Sequence, residues 1–328
     1  MCKRIYFAGI LGSILILGCS FSCFSQVLVK RQMTLMGSLF DISVVTEDSV
    51  RANREIDLAV AEIERIENLI SEWRPETQVS EVNKNAGIRA VHVDRELFEL
   101  TKRAIDYSLI SAGAFDISIA AMDKIWMYDG SMTKMPDSVA VRKSVERVGF
   151  EQIVLDSTNS TIFLSEPGMK IGFGSIGKGY AADRGRAILQ ANGVAGGIVN
   201  ASGDLSAWGQ QVNGKPWNIG ITNPFKVRKL VKILKLKTGS VATSGSYEKY
   251  AEIGGTRYSH IINPKTGYPS TGLTSVTIIG PCAEFANALS TSVMVLGAVE
   301  GLKLITRFPE YRYVLLTDDE QIIRSRKL

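Results

Sequence analysis

Apolar and polar residues alternate along Leu39-Phe40-Asp41-Ile42-Ser43-Val44-Val45, the two-residue period of a half-buried strand. Ile56, Val60, Ile63, Ile66 and Ile70 then recur at helical spacing and predict an amphipathic helix from about Ala52 to Ser71. A second helix is predicted over Arg95–Ser111, followed by the loop Gly113-Ala114-Phe115-Asp116 and a segment marked by Trp126 and Tyr128. Short strands are expected at 161–165 and 169–172, and a glycine-rich turn over 172–179 feeds a third helix. Beyond it the pattern gives strands near 197–200, 217–221, 229–237, 258–262 and 274–279. A helix over Glu284–Leu296 turns Ala286, Leu289, Val293 and Leu296 inward, and Tyr313–Thr317 reads as a last strand. Segregated helices and many hairpin-length connections argue for an α+β fold rather than a regular βαβ array.

The N-terminus changes this picture. Cys2-Lys3-Arg4 precedes an apolar run from Ile5 to Gly18, the layout of an export signal and too short to span a bilayer comfortably. Two processing sites compete. Ile16-Leu17-Gly18-Cys19 resembles a lipoprotein box, which would make Cys19 a lipid-anchored N-terminus. Cys23-Phe24-Ser25 offers small residues for cleavage before Gln26, and this second reading is preferred because strand-like sequence (VLVKRQMTL) begins almost at once. On it, residues 1–25 are the signal and 26–328 form one domain, since no repeat or low-complexity linker divides them. The formal charge of +5 falls to +3 without the leader, 36 basic against 33 acidic groups. No basic run of nucleic-acid type exists; the lysines of RKLVKILKLK (228–237) are spaced among apolar residues, as on a solvated sheet face. Three of the four cysteines lie in the leader, so Cys282 alone can form neither an internal disulfide nor a cysteine metal cluster.

Three stretches carry chemistry. GFGSIGKGY (172–180) lies between an apolar segment and a helix, where unpaired backbone N–H groups and the helix dipole favour anions. Gly172-x-Gly174-x-x-Gly177 imitates a dinucleotide fingerprint, but the next strand ends in Asn200 and Asp204 comes late for the required acid. A phosphate-binding P-loop is imitated too, yet Gly179 stands where the magnesium-binding hydroxyl belongs. Two readings remain: a loop presenting amides and Lys178 to an anion, or a glycine turn feeding a buried helix. In PCAEFANALST, Glu284, Asn287 and Thr291 share one helix face at i, i+3 and i+7, and all are hard oxygen ligands suited to Mg²⁺; an ordinary polar stripe is the alternative. His260, one of two histidines, is placed in the predicted strand Tyr258–Ile262 at the lip of the turn Asn263-Pro264-Lys265-Thr266-Gly267, as a core residue or a titratable group at a site.

In motif order, nearly the whole body of the chain resembles the FAD:protein FMN transferase, or ApbE-type, family. The matching stretches begin with Met36-Gly37-Ser38 and Ser71-Glu72-Trp73-Arg74, then Ser80-Glu81-Val82-Asn83 and Gly113–Ser118. Gly174–Tyr180 with Asp183 and Ser202-Gly203-Asp204 come next, followed by Trp217–Ile221 and Pro224. Val241–Glu248, Tyr258–Gly267 and Ala286–Thr291 complete the series. The resemblance implies a two-lobed single domain with a flavin-nucleotide cleft between its lobes. It further implies an exported, often lipid-anchored enzyme that uses Mg²⁺ to split FAD. The FMN half is joined through a phosphoester to a threonine hydroxyl of a partner redox protein, and AMP is released. By the same resemblance, Met36, Trp73, Ala114, Phe115, Asp116, Lys178 and His260 line the FAD site. The Ser175 carbonyl joins Glu284, Asn287 and Thr291 around the metal. His260 would take the threonine proton or hydrogen-bond a pyrophosphate oxygen.

Two positions depart from the family pattern by losing a carboxylate: Gly172, usually an Asp contacting the nucleotide, and Asn287, usually an Asp metal ligand. Two other functions are therefore weighed beside transfer. One is FAD pyrophosphatase activity with water as acceptor; the other is flavin binding or storage without turnover.

Overall fold

The computed structural model describes residues 26–226, 228–247, 249–326 and 328. The expected signal segment, Cys19 included, and Glu248 of the motif series lie outside the described residues. In chain order the elements are β1 (Val27–Leu35), β2 (Ser38–Thr46), α1 (Ser49–Ile70), α2 (Gln78–Lys84), β3 (Val91–His92), α3 (Arg95–Ile110), α4 (Ser138–Ser144), β4 (Ile153–Asp156) and β5 (Thr161–Leu164). The second half follows with α5 (Gly177–Ala191), β6 (Gly196–Ala201), β7 (Asp204–Trp208), β8 (Trp217–Thr222), β9 (Leu230–Leu236), β10 (Gly239–Gly245), β11 (Tyr250–Ile253), β12 (Thr256–Ser259), β13 (Leu273–Gly280), α6 (Ala283–Ile305), β14 (Arg312–Thr317) and β15 (Ile322–Arg324).

Eight strands form one antiparallel sheet in the order β1-β2-β6-β7-β10-β13-β14-β15. Period-two alternation gives it two apolar faces. Phe40, Ile42 and Val44 of β2 pack with Ile56, Ile63 and Ile66 of α1 and with α5. Further along the same layer, Ala242 and Ile278 meet Leu289 and Val293 of α6. The opposite face, with Leu205, Ala207, Val241 and Ile279, is covered by Trp217, Ile221, Leu234 and Leu236 of the separate β8–β9 ribbon. Burying each such side chain contributes roughly 1.5–3 kcal/mol. The lysine-rich strand behaves as its spacing predicts: Leu234 and Leu236 face the core and Lys235 is exposed.

The α+β class holds, and most predicted elements form. Two differ for local reasons. Residues 169–172 make no strand, because the Ile171 backbone is satisfied by a side chain: its N–H donates to Asn83 Oδ1 at 2.8 Å and its carbonyl accepts from Asn83 Nδ2 at 3.0 Å. The strand expected over 258–262 stops at Ser259; Ile262 keeps only an isolated bridge to Pro269. His260 therefore stands at the end of the ladder, not inside it. The helix expected to end at Leu296 breaks at Gly297 (φ 75°) and resumes to Ile305.

One feature of the sheet positions the site. Pairing between β7 and β10 ends at Leu205 opposite Val241, while β10 continues to Gly245 alongside β13. The pairing parts there: beyond Val241, β10 is bonded to β13 alone, and Ser244 of β10 meets the hydroxyls of Ser290 and Thr291 of α6.

Candidate active site

A cavity of about 1000 Å³ opens at that parting, the upper end of the range for small-molecule sites. It is bounded by the β6–β7 turn, β8, β10, the start of α5, the middle of α6 and the loops bearing Trp73, Asp116 and His260.

Two helix starts meet at its floor. α5 and α6 approach so closely that a Cβ on Gly179 would lie 2.5 Å from the Ala283 carbonyl oxygen, so only glycine fits. The glycine-rich stretch serves helix packing as much as any ligand. Asp183 of α5 locks the junction. One carboxylate oxygen accepts from the N–H groups of Ala283 (2.7 Å) and Glu284 (3.1 Å) and from the Cys282 thiol (3.2 Å). The other accepts from the hydroxyls of Ser206 (2.9 Å) and Ser240 (3.3 Å) in the sheet. An anion at a helix N-terminus also matches the dipole. Burial, with the charge of Asp183, pushes the Cys282 thiol up to about 12, so it is no nucleophile at neutral pH.

Above this junction oxygen atoms converge. The Asn287 side-chain oxygen faces the Ser175 carbonyl and an Asp204 carboxylate oxygen; turned end for end, the amide would instead donate to them, at 2.7 and 3.2 Å. Thr291, one turn further along α6, has its hydroxyl 3.3 Å from Ser244 Oγ. As it faces them, the Asn287 amide puts a third oxygen beside the carbonyl and the carboxylate. A carboxylate, a carbonyl, an amide oxygen and a hydroxyl form a hard-oxygen set of the kind Mg²⁺ accepts. Among the described residues no group of three or more His, Cys, Asp or Glu side chains is arranged to hold a metal ion by itself. Lys178, in the first turn of α5, lines the same cavity.

Of the residues the sequence singled out, Trp73, Ala114, Phe115, Asp116, Ser175, Lys178, His260, Asn287 and Thr291 all line this cavity. Asp116 is also structural: its carboxylate accepts from the backbone N–H groups of Ser118 (2.8 Å) and Phe150 (3.0 Å), and burial raises its pKa. His260 is exposed, which removes the core-histidine reading. Its Nδ1 lies 3.0 Å from the Lys249 carbonyl oxygen, a contact that demands N–H at Nδ1 and makes Nε2 the basic nitrogen.

Two expected residues are not among those lining the cavity. Glu284 is buried, and both its oxygens are taken: Arg103 grips it with contacts of 2.8 and 2.9 Å, and the Tyr107 hydroxyl donates at 2.8 Å. With three donors on its two oxygens, this carboxylate is committed to Arg103 and Tyr107. Met36 forms the tight β1–β2 turn with Gly37, both at positive φ, and its N–H donates to Glu67 at 2.9 Å. Conversely, the sequence reading passed over Asp204 as a ligand. Ser202-Gly203, both at positive φ, is a two-residue hairpin signal that would have paired β6 with an unrecognised β7 and returned Asp204 to the site.

The α+β architecture that frames this cavity is shared with known proteins. The ApbE family profile matches residues 36–315. An FAD:protein FMN transferase of Klebsiella pneumoniae is 32% identical, covering 89% of this chain and 90% of its own. One of Treponema pallidum is 30% identical, covering 93% and 89%. Among solved structures, the ApbE protein of Thermotoga maritima superposes with a TM-score of 0.83 at 29% identity, over 92% of this chain and 97% of its own. The apo flavinyl transferase ApbE of Pseudomonas stutzeri gives 0.81 at 26%, over 93% and 96%. The chain belongs to the ApbE family.

Proposed function

We propose that this protein transfers FMN from FAD to the hydroxyl of a threonine on an exported redox protein, with release of AMP. It is an FAD:protein FMN transferase, as are its relatives along nearly their full lengths. The observation that carries the finer reading is the single cavity lined by Lys178, the oxygen cluster and the exposed His260. In the reaction the threonine oxygen attacks the phosphorus of the FMN half; a phosphorus–oxygen bond to threonine forms as the one to AMP breaks. Such transfers depend on alignment and charge neutralisation more than on covalent help. Lys178 faces the diphosphate from the α5 start. His260, with Nε2 as its basic nitrogen, accepts the threonine proton, a role typically worth on the order of 10²–10⁴ in rate.

Mg²⁺ bound at the cluster would supply charge neutralisation on the diphosphate. The set we assign to it is the Ser175 carbonyl, Asp204, Asn287 and Thr291. Glu284 is left out because Arg103 and Tyr107 occupy it. Asp204 restores the carboxylate that Asn287 lacks. Export by the N-terminal signal, with the protein free or lipid-anchored in the periplasm, completes the reading. The test is incubation with FAD, Mg²⁺ and an acceptor bearing the target threonine. Covalent flavin on the acceptor with AMP supports transfer; AMP with free FMN means pyrophosphatase; unchanged FAD means a binder.

A further inference from the structure

Glu72 and Trp73 sit side by side on the loop after α1, and both line the cavity. Gly172 backs onto Glu72. A Cβ at 172 would fall 1.8 Å from Glu72 Oε2 and 2.6 Å from its carboxyl carbon, with the Ala120 methyl 3.0 Å away. The glycine is a notch, and the Glu72 carboxylate fills it. Two other acids around the cavity have donors: Asp116 accepts from Ser118 and Phe150, and Asp41 accepts from Gln32. No described hydrogen bond or ion pair engages the Glu72 carboxylate. Lys124 and Lys170 act on it only through space, and burial outweighs them to push its pKa upward. A half-buried acceptor left without a donor is costly unless a ligand supplies one. Beside it, Trp73 is 75% exposed, one face covered by Lys124 at 5.2 Å from the ring centre.

We propose that Glu72 is a specificity-determining residue whose carboxylate accepts a hydrogen bond from an N–H of the nucleotide base that stacks on Trp73. Two groups on FAD share that chemistry, the flavin imide and the adenine amine. This inference rests on the nucleotide reading of the cavity.

The experiment measures binding of FAD, FMN and AMP by calorimetry to the wild-type protein and three variants. Glu72→Ala should weaken FAD about 10–100-fold, the loss of one charge-assisted hydrogen bond. The same loss should appear with either FMN or AMP but not both, which identifies the ring. Gly172→Asp alone should weaken binding, since two carboxylates would claim one point. Glu72→Ala combined with Gly172→Asp should recover most of the affinity by returning a carboxylate to the notch. Wild-type affinity in Glu72→Ala, equal loss on both halves, or no recovery in a folded double variant overturns the proposal. If the double variant melts out, the FMN and AMP arms decide alone. A wild-type protein that binds no FAD overturns the functional reading together with this one.

Discussion

Asp183 and His260 serve the same cavity from opposite kinds of setting. Asp183 gathers five donors from three elements, α6, β7 and β10, into one carboxylate. His260 stands exposed at the end of the two-stranded β11–β12 ribbon, its ring leaning on the Lys249 carbonyl and, edge-on, 6.3 Å from Tyr128. The anion-handling end must hold several oxygen atoms at fixed spacing, so it is braced. The proton-taking end must admit a side chain carried by another protein, so it is open. The contrast teaches that damage at the two ends should separate into lost folding and lost chemistry.

The largest effect expected is on chemistry alone. His260→Ala should slow transfer by about 10²–10⁴, while its unfolding free energy in urea stays within about 0.5 kcal/mol of wild type. A variant that loses stability and activity together would erase the contrast. Asp183→Ala should do the converse, costing roughly 3 kcal/mol because buried N–H and hydroxyl donors lose their acceptor. Equilibrium urea unfolding measures this, and a loss under about 1 kcal/mol would show the brace to be dispensable.

Asn287→Asp sharpens the account of the braced end. It would set two carboxylates near the 3.2 Å now separating the amide from Asp204, so the metal-free protein should melt lower. Added Mg²⁺ should raise the melting temperature more than in wild type and bind about tenfold tighter, since an ion bound only by the folded state stabilises it. Equal Mg²⁺ affinity in calorimetry would remove Asn287 from the cation set.

The smallest effect concerns Glu72, whose folded pKa is raised by burial against the opposing pull of Lys170 and Lys124. Between the ordinary glutamate value of 4.5 and the raised value the folded state binds more protons than the unfolded, so stability falls as pH rises through that window. Glu72→Gln should therefore melt higher than wild type at pH 8 and nearly alike at pH 4. A gain of the same size at both pH values would show that burial does not shift this carboxyl.

Periodicity carried much of this structure because long amphipathic elements repeat their signal. The α1 stripe Ile56, Ile63, Ile66 and the β2 alternation Phe40, Ile42, Val44 meet in one core, as their spacing predicts. Short elements escaped: β7 is buried at all five positions and shows no alternation to read. The segment 169–172 misled because its apolar look comes from packing, while its backbone is held by Asn83. At the site, residue type and helical phase put Asn287 and Thr291 on one helix face, and both line the cavity. They could not reveal that Glu284, on the same stripe, is claimed by Arg103, a residue far away in sequence. Nor could they show Asp204 arriving from across the parted sheet.

The missing side chain at Gly179 sets the calibre of the ion nest. With the Ala283 carbonyl 2.5 Å from where a methyl would sit, even alanine must wedge the two helices apart and carry Ser175 away from Asn287. Mg²⁺ demands ligand distances of about 2.0–2.1 Å, whereas Ca²⁺ tolerates about 2.3–2.6 Å. Ion preference would thus be governed by a position that touches no ion, and a widened gauge there would drift toward the larger cation.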